Sequence, residues 1–374
     1  MPSGGSLAIS PVVDVEGKHL SLSNLDKVLY PATGFTKGQV IDYYARIAPA
    51  LLPHLKGRPV TMKRYPNGVD SEFFYEKNAP KHRLEWVKTA PIWSRHNRRH
   101  INYLLVDDLP TLIWLANLAS LEIHPSLALA KDYDCPTMLV FDLDPGPPAN
   151  IVQCAQVGLW LREIFEHWGL QSFPKTSGSK GLQVYVPLNT PTSYDVTKPF
   201  AQALAHLLEH DHPDLIVSEM KKAIRGGKVF VDWSQNDEHK TTVSVYSLRA
   251  REHPTVSTPV TWEEVERALK KKDASLLVFE APKVIERFEK MGDLHAPVLE
   301  LKQKLPDLRG VAAAAATPAT VDLAAQAEDT REEPAPKRTA AKSGPGHSRK
   351  ASSSARKTLA KKAAKPAAKK RRAV

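Results

Sequence analysis

Residues 138–146 read MLVFDLDPG, and this stretch decides the predicted fold. Four apolar residues in a row are typical of a buried strand, and the proline and glycine that follow indicate a turn. Side chains alternate between the two faces of a strand, so Asp142 and Asp144 are expected on the same face. Paired carboxylates can bridge hard divalent cations, which prefer oxygen ligands, although acids at strand ends also often cap turns. This segment alone allows both interpretations.

A third carboxylate stands in a second apolar strand, KVFVDW at residues 228–233. A charged residue such as Asp232 in that setting needs a structural or functional reason. Three aspartates on strands could hold two metal ions on the order of 4 Å apart, the arrangement that stabilises the attacking and leaving oxygens in phosphoryl transfer.

The turn at residues 176–181 reads TSGSKG and precedes the strand LQVYVPL. Its backbone amides, the Ser177 hydroxyl and the Lys180 ammonium group are suited to binding a triphosphate. The spacing is not that of a P-loop, and a strand rather than a helix follows. An ordinary glycine hairpin is the alternative interpretation.

Three further residues could act on phosphate charge. Arg225 and Arg249 flank the third aspartate in sequence, and His124 lies in LEIHP ahead of the first aspartate strand. Arginine can neutralise phosphate charge during transfer, whereas a lone histidine more often has a structural role.

Strand-like and helix-like patterns alternate along the chain to about residue 307. They predict helices over residues 39–55, 111–121, 151–168 and 199–209 and after a capping box at 261–264, strands over 138–141, 182–188 and 228–233, and a hairpin around 176–181. The predicted fold class is α/β or α+β, with a mixed central β-sheet flanked by helices.

We expect three parts along the chain: a flexible N-terminus at 1–20, a catalytic domain at 21–308 and a tail at 309–374. The composition changes after residue 308, and the Lys/Ala/Pro-rich tail is expected to be disordered. Residues 311–374 contain 15 Lys/Arg and 5 Asp/Glu, against 37 and 36 in residues 1–310. Nearly all the excess positive charge therefore lies in the tail, which would bind DNA as a salt-sensitive tether or serve as a solvated solubility segment.

No segment has the length of a membrane-spanning helix, and the first residues lack the pattern of a signal peptide. We therefore expect a cytoplasmic protein that associates with the nucleoid and not with a membrane.

Seven segments in this order closely resemble the polymerase domain of bacterial ATP-dependent DNA ligase D, a branch of the archaeo-eukaryotic primase superfamily. They are SNLDKVLYPATGFTK, KRYPNGVDSEFFYEKNAP, LANLASLEIHP, VFDLDPGP, TSGSKGLQVYVPL, AIRGGKVFVDW and VYSLRAREHPTVSTPVTW. The resemblance runs from about residue 21 to about 308 and implies a primase-polymerase fold.

The resemblance also implies roles for individual residues. It implies metal ligation by Asp142, Asp144 and Asp232, and nucleotide binding by His124, Ser177, Lys180, Gln183 and Arg249. It implies DNA binding by Lys27 and Lys37 at a downstream 5′-phosphate, by Phe73 and Phe74 through stacking on the template, and by Arg225 in the loop that orders primer and template. At Gln183 the chain departs from many relatives, which have histidine, so nucleotide affinity or metal preference is expected to differ.

The implied activity is template-directed nucleotidyl transfer, by gap filling and end extension at DNA double-strand breaks in bacterial non-homologous end joining. Two divalent ions, Mn²⁺ or Mg²⁺, would serve as cofactors: one held by three aspartates at the primer 3′-hydroxyl, the other held by Asp142 and Asp144 at the triphosphate. The expected substrates are DNA ends and gaps with a 5′-phosphate and NTP or dNTP, with ribonucleotides preferred. The expected partners are Ku and a separate ATP-dependent DNA ligase.

Three alternatives remain for comparison. A de novo primase would need to hold two nucleotides without a primer, and a non-catalytic factor would only bind 5′-phosphorylated ends. A phosphatase of the haloacid dehalogenase type normally has Thr or Val two residues after its second aspartate, whereas Pro145 and Gly146 follow here.

Overall fold

Two five-stranded β-sheets form the centre of the computed structural model, which describes residues 11–95 and 97–307. The helices are α1 (Lys37–Leu55), α2 (Leu109–Asn117), α3 (Ile151–His167), α4 (Tyr194–Asp211), α5 (Trp262–Lys271), α6 (Ala281–Met291) and α7 (Pro297–Glu300). The strands are β1 (Val12–Val15), β2 (Lys18–Ser21), β3 (Val28–Tyr30), β4 (Phe35–Thr36), β5 (Pro59–Arg64), β6 (Phe74–Glu76), β7 (Thr89–Ser94), β8 (Arg99–Leu105), β9 (Ser120–Pro125), β10 (Ala128–Leu129), β11 (Asp132–Pro136), β12 (Met138–Pro145), β13 (Phe173–Thr176), β14 (Leu182–Pro187), β15 (Ile216–Val217) and β16 (Val229–Asp232). The tail predicted at 309–374 lies outside the described residues.

The two sheets differ in strand direction. In the first sheet β5 pairs with β6, β8 and β9, and β7 extends it beyond β8, all antiparallel. The second sheet has the order β13-β14-β12-β16-β15, and only β15 and β16 run parallel. The predicted mixed sheet flanked by helices is therefore confirmed.

Strand β12 lies in the middle of the second sheet, and its two faces have different surroundings. Helix α3 packs on β12 and β14. A Cβ built at Gly158 of α3 would lie 2.9 Å from Leu182 and 3.8 Å from Leu143, so glycine allows this close approach. On the opposite face Met138 and Val140 belong to a smaller buried cluster. Asp142 continues that second face, because it is two residues beyond Val140.

Most predicted elements are present, but the helix predicted over 111–121 is too long. Helix α2 ends at Asn117, Ala119 has φ of 55°, and residues from Ser120 belong to β9. Apolar residues continue through this boundary, so helical spacing alone could not locate the end. Pairing of β9 with β5, together with a 2.7 Å hydrogen bond from the Tyr44 hydroxyl to the Leu121 carbonyl, stabilises the strand instead.

The prediction of a flexible N-terminus at 1–20 is wrong for its second half. Strands β1 and β2 form an antiparallel hairpin, and Leu20 is buried in the main core. The Asn117 side-chain amide donates to the Ser21 carbonyl at 3.0 Å, which fixes the hairpin to the end of α2. Burial of Leu20 and this hydrogen bond offset the conformational entropy that the short hairpin loses when it is ordered. Residues 1–10 lie outside the described residues.

Among the described helices, none combines the length and apolar character that crossing a membrane would require.

Candidate active site

A row of polar residues crosses four strands of the second sheet. Lys175 lies opposite Gln183, Gln183 opposite Asp142, and Asp142 opposite Asp232. Directly opposite residues in antiparallel strands project to the same face, and Asp144 follows two residues later on that face. The fold therefore brings the three predicted aspartates together at one end of β12, although two strands far apart in sequence carry them.

Asp142 is in an environment that disfavours its charged form. Burial and the nearby charge of Asp144 raise its pKa to about 7, against an opposing hydrogen bond from the Gln183 side chain. Its Oδ1 atom is buried and has no hydrogen-bond partner. Burial and the charge of Asp232 likewise raise the pKa of Asp144. A hard divalent cation would satisfy the free oxygen and offset the repulsion between the two carboxylates.

Asp232 is more fully occupied than the other two aspartates. Its Oδ1 accepts hydrogen bonds from the Ser234 backbone amide at 2.9 Å and hydroxyl at 2.6 Å, and its Oδ2 accepts one from Gln235 at 3.0 Å. Within residues 11–95 and 97–307, no group of three His, Cys, Asp or Glu side chains is arranged to hold a metal ion. Asp142 and Asp144 nevertheless offer carboxylate oxygens of the kind that a divalent cation binds. Asp232 lies beside them, and its oxygens already accept hydrogen bonds.

A cavity of about 450 Å³ opens over this row, with walls from both sheets. Its lining includes the predicted site residues His124, Asp142, Asp144, Ser177, Gln183 and Arg249. Lys180 instead lines an adjacent cavity of about 310 Å³, and Ser179 lines both. The positive charges of Arg225, Arg249 and Lys180 oppose the rise in the Asp144 pKa, so these three side chains favour its charged form.

The loop at 176–181 requires glycine at two positions. Gly178 has φ of +66°, and a Cβ there would lie 2.5 Å from the Val256 carbonyl carbon. A Cβ at Gly181 would lie 2.0 Å from the Leu143 carbonyl oxygen. The Ser177 hydroxyl accepts from the backbone amide of Gly181 at 3.1 Å. The loop can therefore lie close to the strands and hold its hydroxyl groups at the cavity.

Glu122, which the sequence analysis missed, contacts three basic side chains on the side of the first sheet. Its carboxylate contacts His124 at 2.9 Å, Arg249 at 3.5 Å and Lys63 at 3.6 Å, and Arg249 also donates to the Ser177 carbonyl at 2.8 Å. Burial opposes ionisation of Glu122, but the hydrogen bond from His124 and the neighbouring positive charges lower its pKa to about 2. A charged residue in the apolar segment LEIHP was the available signal, and the same argument had identified Asp232.

Lys27 and Lys37, predicted to bind a 5′-phosphate, are close together at the start of α1. The Lys37 amide donates to the Lys27 carbonyl at 2.8 Å, and burial together with the Lys27 charge lowers the Lys37 pKa to about 8. The Lys37 ammonium group donates to the Ser23 carbonyl at 2.6 Å, and that of Lys27 to Asn67 at 2.9 Å. Neither lysine lines the cavity over the aspartates.

Phe73 and Phe74 are both 47% exposed, which is unusual for such large apolar side chains. The Lys63 ammonium lies 4.2 Å from the centroid of the Phe73 ring, and the Arg64 guanidinium lies 5.4 Å from that of Phe74. The pair forms an aromatic surface supported by cations.

Arg225 lies just before β16, with its guanidinium 3.6 Å from the centroid of the Phe230 ring and a 2.6 Å hydrogen bond to the Met220 carbonyl. It therefore approaches the carboxylates from the side of the second sheet.

The chain is similar to known proteins over most of the described residues. Residues 36–295 match the family model of the LigD primase-polymerase domain. The chain is 40% identical over 309 residues to the multifunctional non-homologous end joining protein LigD of Mycolicibacterium smegmatis, covering 81% of this chain and 40% of that protein. It is 33% identical to the bifunctional non-homologous end joining protein LigD of Bacillus subtilis, covering 73% of this chain and 43% of that one.

Among solved structures, the polymerase domain of Mycobacterium tuberculosis ligase D in complex with DNA superposes with a TM-score of 0.70 at 40% identity. The match covers 76% of this chain and 99% of that domain. This chain spans less than half the length of the two LigD proteins above. The chain belongs to the LigD primase-polymerase family.

Proposed function

We propose that this chain catalyses template-directed nucleotidyl transfer, filling gaps and extending ends at DNA double-strand breaks in bacterial non-homologous end joining. The observation that carries the proposal is a cavity lined by Asp142 and Asp144, with Asp232 opposite Asp142 in the sheet. The walls of this cavity also contain His124, Ser177 and Arg249. Carboxylates on one side and cationic or hydrogen-bonding groups on the other are what transfer of a nucleotide from a triphosphate requires.

The protein's own residues bind and orient the reactants in this proposal. Ser177, Lys180 and Arg249 would contact the triphosphate and stabilise charge on the departing pyrophosphate. His124, whose Nε2–H donates to the Glu122 carboxylate, would line the nucleotide pocket from the first sheet. The aspartates would face the primer 3′-hydroxyl from the second sheet.

Two divalent ions, Mn²⁺ or Mg²⁺, would lower the pKa of the primer hydroxyl and neutralise the triphosphate. The donor chemistry of Asp142 and Asp144 fits such ions, and the buried, unpartnered Oδ1 of Asp142 is the observation that supports it. Asp232 would be the third ligand, adjacent in register to Asp142.

The DNA-binding part of the proposal rests on two surfaces. The close pair of Lys27 and Lys37 would contact a downstream 5′-phosphate, and exposed Phe73 and Phe74 would stack on the template. Arg225 would act beside Asp144 on the primer side. We also propose a preference for ribonucleotides and joint action with Ku and an ATP-dependent DNA ligase, with the resemblance to the family as the only support.

The test is primer extension on a gapped duplex, with Mn²⁺ or Mg²⁺ and either ribo- or deoxynucleotides. Extension by the wild-type chain that Asp142→Ala/Asp144→Ala loses would support the proposal, and a higher rate with a downstream 5′-phosphate than with a 5′-hydroxyl would support gap filling over de novo priming. Tight DNA binding without extension would favour a non-catalytic end-binding protein instead.

A further inference from the structure

Lys175, at one end of the polar row, is a lysine with no exposed surface. A buried ammonium group is costly unless hydrogen-bond acceptors surround it. Its Nζ donates to the Gln183 Oε1 at 2.5 Å, the Ser257 hydroxyl at 2.6 Å and the Val243 carbonyl at 3.1 Å. The Ser257 hydroxyl donates its own hydrogen to the Thr176 carbonyl, so it can only accept from lysine. Burial lowers the pKa of Lys175, an effect that the negative charge of Asp142 opposes. The three acceptors match the three hydrogens of the ammonium form.

This arrangement determines which way the Gln183 amide points. An ammonium group has no acceptor, so only the carbonyl oxygen of the amide can face it. The –NH₂ end of Gln183 must then face away from Lys175. Gln183 lines the 450 Å³ cavity and lies opposite Asp142 in the sheet, which makes this –NH₂ a hydrogen-bond donor on the carboxylate side of the cavity.

We infer that Lys175 is a positioning residue for nucleotide binding, which locks Gln183 with its –NH₂ group toward Asp142 and the bound triphosphate. The inference rests on the proposed function and deepens it. Without Lys175 the amide could rotate and present its oxygen to Asp142 and to phosphate oxygens, which are acceptors and would be repelled. Lys175 itself does not line the cavity, so its hydrogen-bond connection to the site is through Gln183.

The test is a double-mutant cycle on nucleotide affinity, measured with the full chain on a gapped duplex whose primer lacks a 3′-hydroxyl, so that no turnover occurs. Lys175→Met and Gln183→Leu are each expected to weaken nucleoside triphosphate binding by on the order of tenfold. Because both act through one amide, Lys175→Met/Gln183→Leu is expected to bind no more weakly than Gln183→Leu alone. Independent losses that multiply to about a hundredfold in the double variant would overturn the inference.

Ser257→Ala is the matched control, since it removes a different acceptor of the same ammonium group. It is expected to lower the melting temperature but leave nucleotide affinity within about twofold. A loss of affinity equal to that of Lys175→Met would show general destabilisation and overturn the inference. If Lys175→Met does not fold, comparison of Lys175→Met/Gln183→Leu with Gln183→Leu still tests the inference. The double variant replaces both buried polar partners by apolar groups, so neither of the two is left unsatisfied.

Different measurements would contradict the two proposals. Failure of the proposed function appears as absent primer extension by the wild-type chain, whereas failure of this inference appears as independent losses of affinity in the cycle.

Discussion

Glu122 is a buried carboxylate that contacts several basic side chains beside the cavity. It contacts the imidazole of His124 and the cations Arg249 and Lys63, so its charge holds three basic side chains in place. Removing one partner from a buried charge cluster leaves the other charges without compensation, which is strongly destabilising. The cations of the site therefore depend on a residue that would not itself touch the substrate.

Glu122→Gln is expected to lower the free energy of unfolding near pH 7 by about 3 kcal/mol, the value of a carboxyl pKa lowered from 4.5 to about 2. A lowered pKa stabilises the fold above the unfolded-state value of 4.5, and this contribution disappears as the pH falls toward 2. Urea unfolding across that range should show the difference between wild type and variant shrinking with acidification. A difference independent of pH would contradict this electrostatic role.

Gly178 makes a second prediction at the scale of one residue, with Gly169 as its matched control. Both have positive φ, +66° and +70°, but a Cβ at Gly169 would meet no atom within 4 Å. Gly169→Ala should cost about 1 kcal/mol for the backbone alone, whereas Gly178→Ala should cost on the order of 3 kcal/mol because the backbone of Val256 and Ser257 must also move. Denaturant unfolding of the two variants measures the difference. Equal losses would mean that the loop at 176–181 has room that the structure does not show.

At the scale of elements, the N-terminal hairpin provides a direct test of the corrected boundary. Leu20→Ala should cost about 3 kcal/mol because the side chain is buried in the main core. Val12→Ala, on the same hairpin but 67% exposed, should change stability by less than about 0.5 kcal/mol. The urea midpoints of the two variants check the prediction. Equal, small effects would mean that β1 and β2 contribute nothing to the fold.

Local sequence patterns predicted the elements that carry the aspartates. Alternation in MLVFDLDPG predicted that Asp142 and Asp144 share a face, and the capping box predicted the start of α5, where the Thr261 hydroxyl accepts from the Glu264 amide. Local patterns did not predict those parts of the structure that depend on contacts between residues far apart in sequence. The end of α2 and the N-terminal hairpin depend on contacts with distant strands and with Asn117.

The candidate site was only partly predictable for the same reason. Sequence offered Asp232 as a partner of Asp142, but its position opposite Asp142 follows from the register of β12 and β16. Lys175 gave no signal in the sequence, because a lysine beside a turn is usually solvated. Its role appears only when the hydrogen bonds to Gln183, Ser257 and Val243 are seen together.

At the scale of the whole molecule, positive charge is distributed unevenly. Residues 311–374 hold 15 of the 52 Lys/Arg but only 5 of the 41 Asp/Glu. If this segment binds DNA, a chain ending at residue 308 should show a shallower decrease of log K with log salt concentration, by about 0.9 for each lost phosphate contact. Titration of both chains with the same duplex at several salt concentrations measures the slopes. Equal slopes would leave the segment without a tether role.

If the aspartate row is a site of nucleotidyl transfer, Asp142→Asn should stop the reaction, because asparagine keeps the size of the side chain and removes its charge. The measurement is a single round of primer extension by wild type and variant, each pre-bound to the same gapped duplex with Mn²⁺ and nucleotide. We expect equal DNA affinity and a loss of extension rate of at least about a hundredfold in the variant. Extension by Asp142→Asn at the wild-type rate would contradict this expectation.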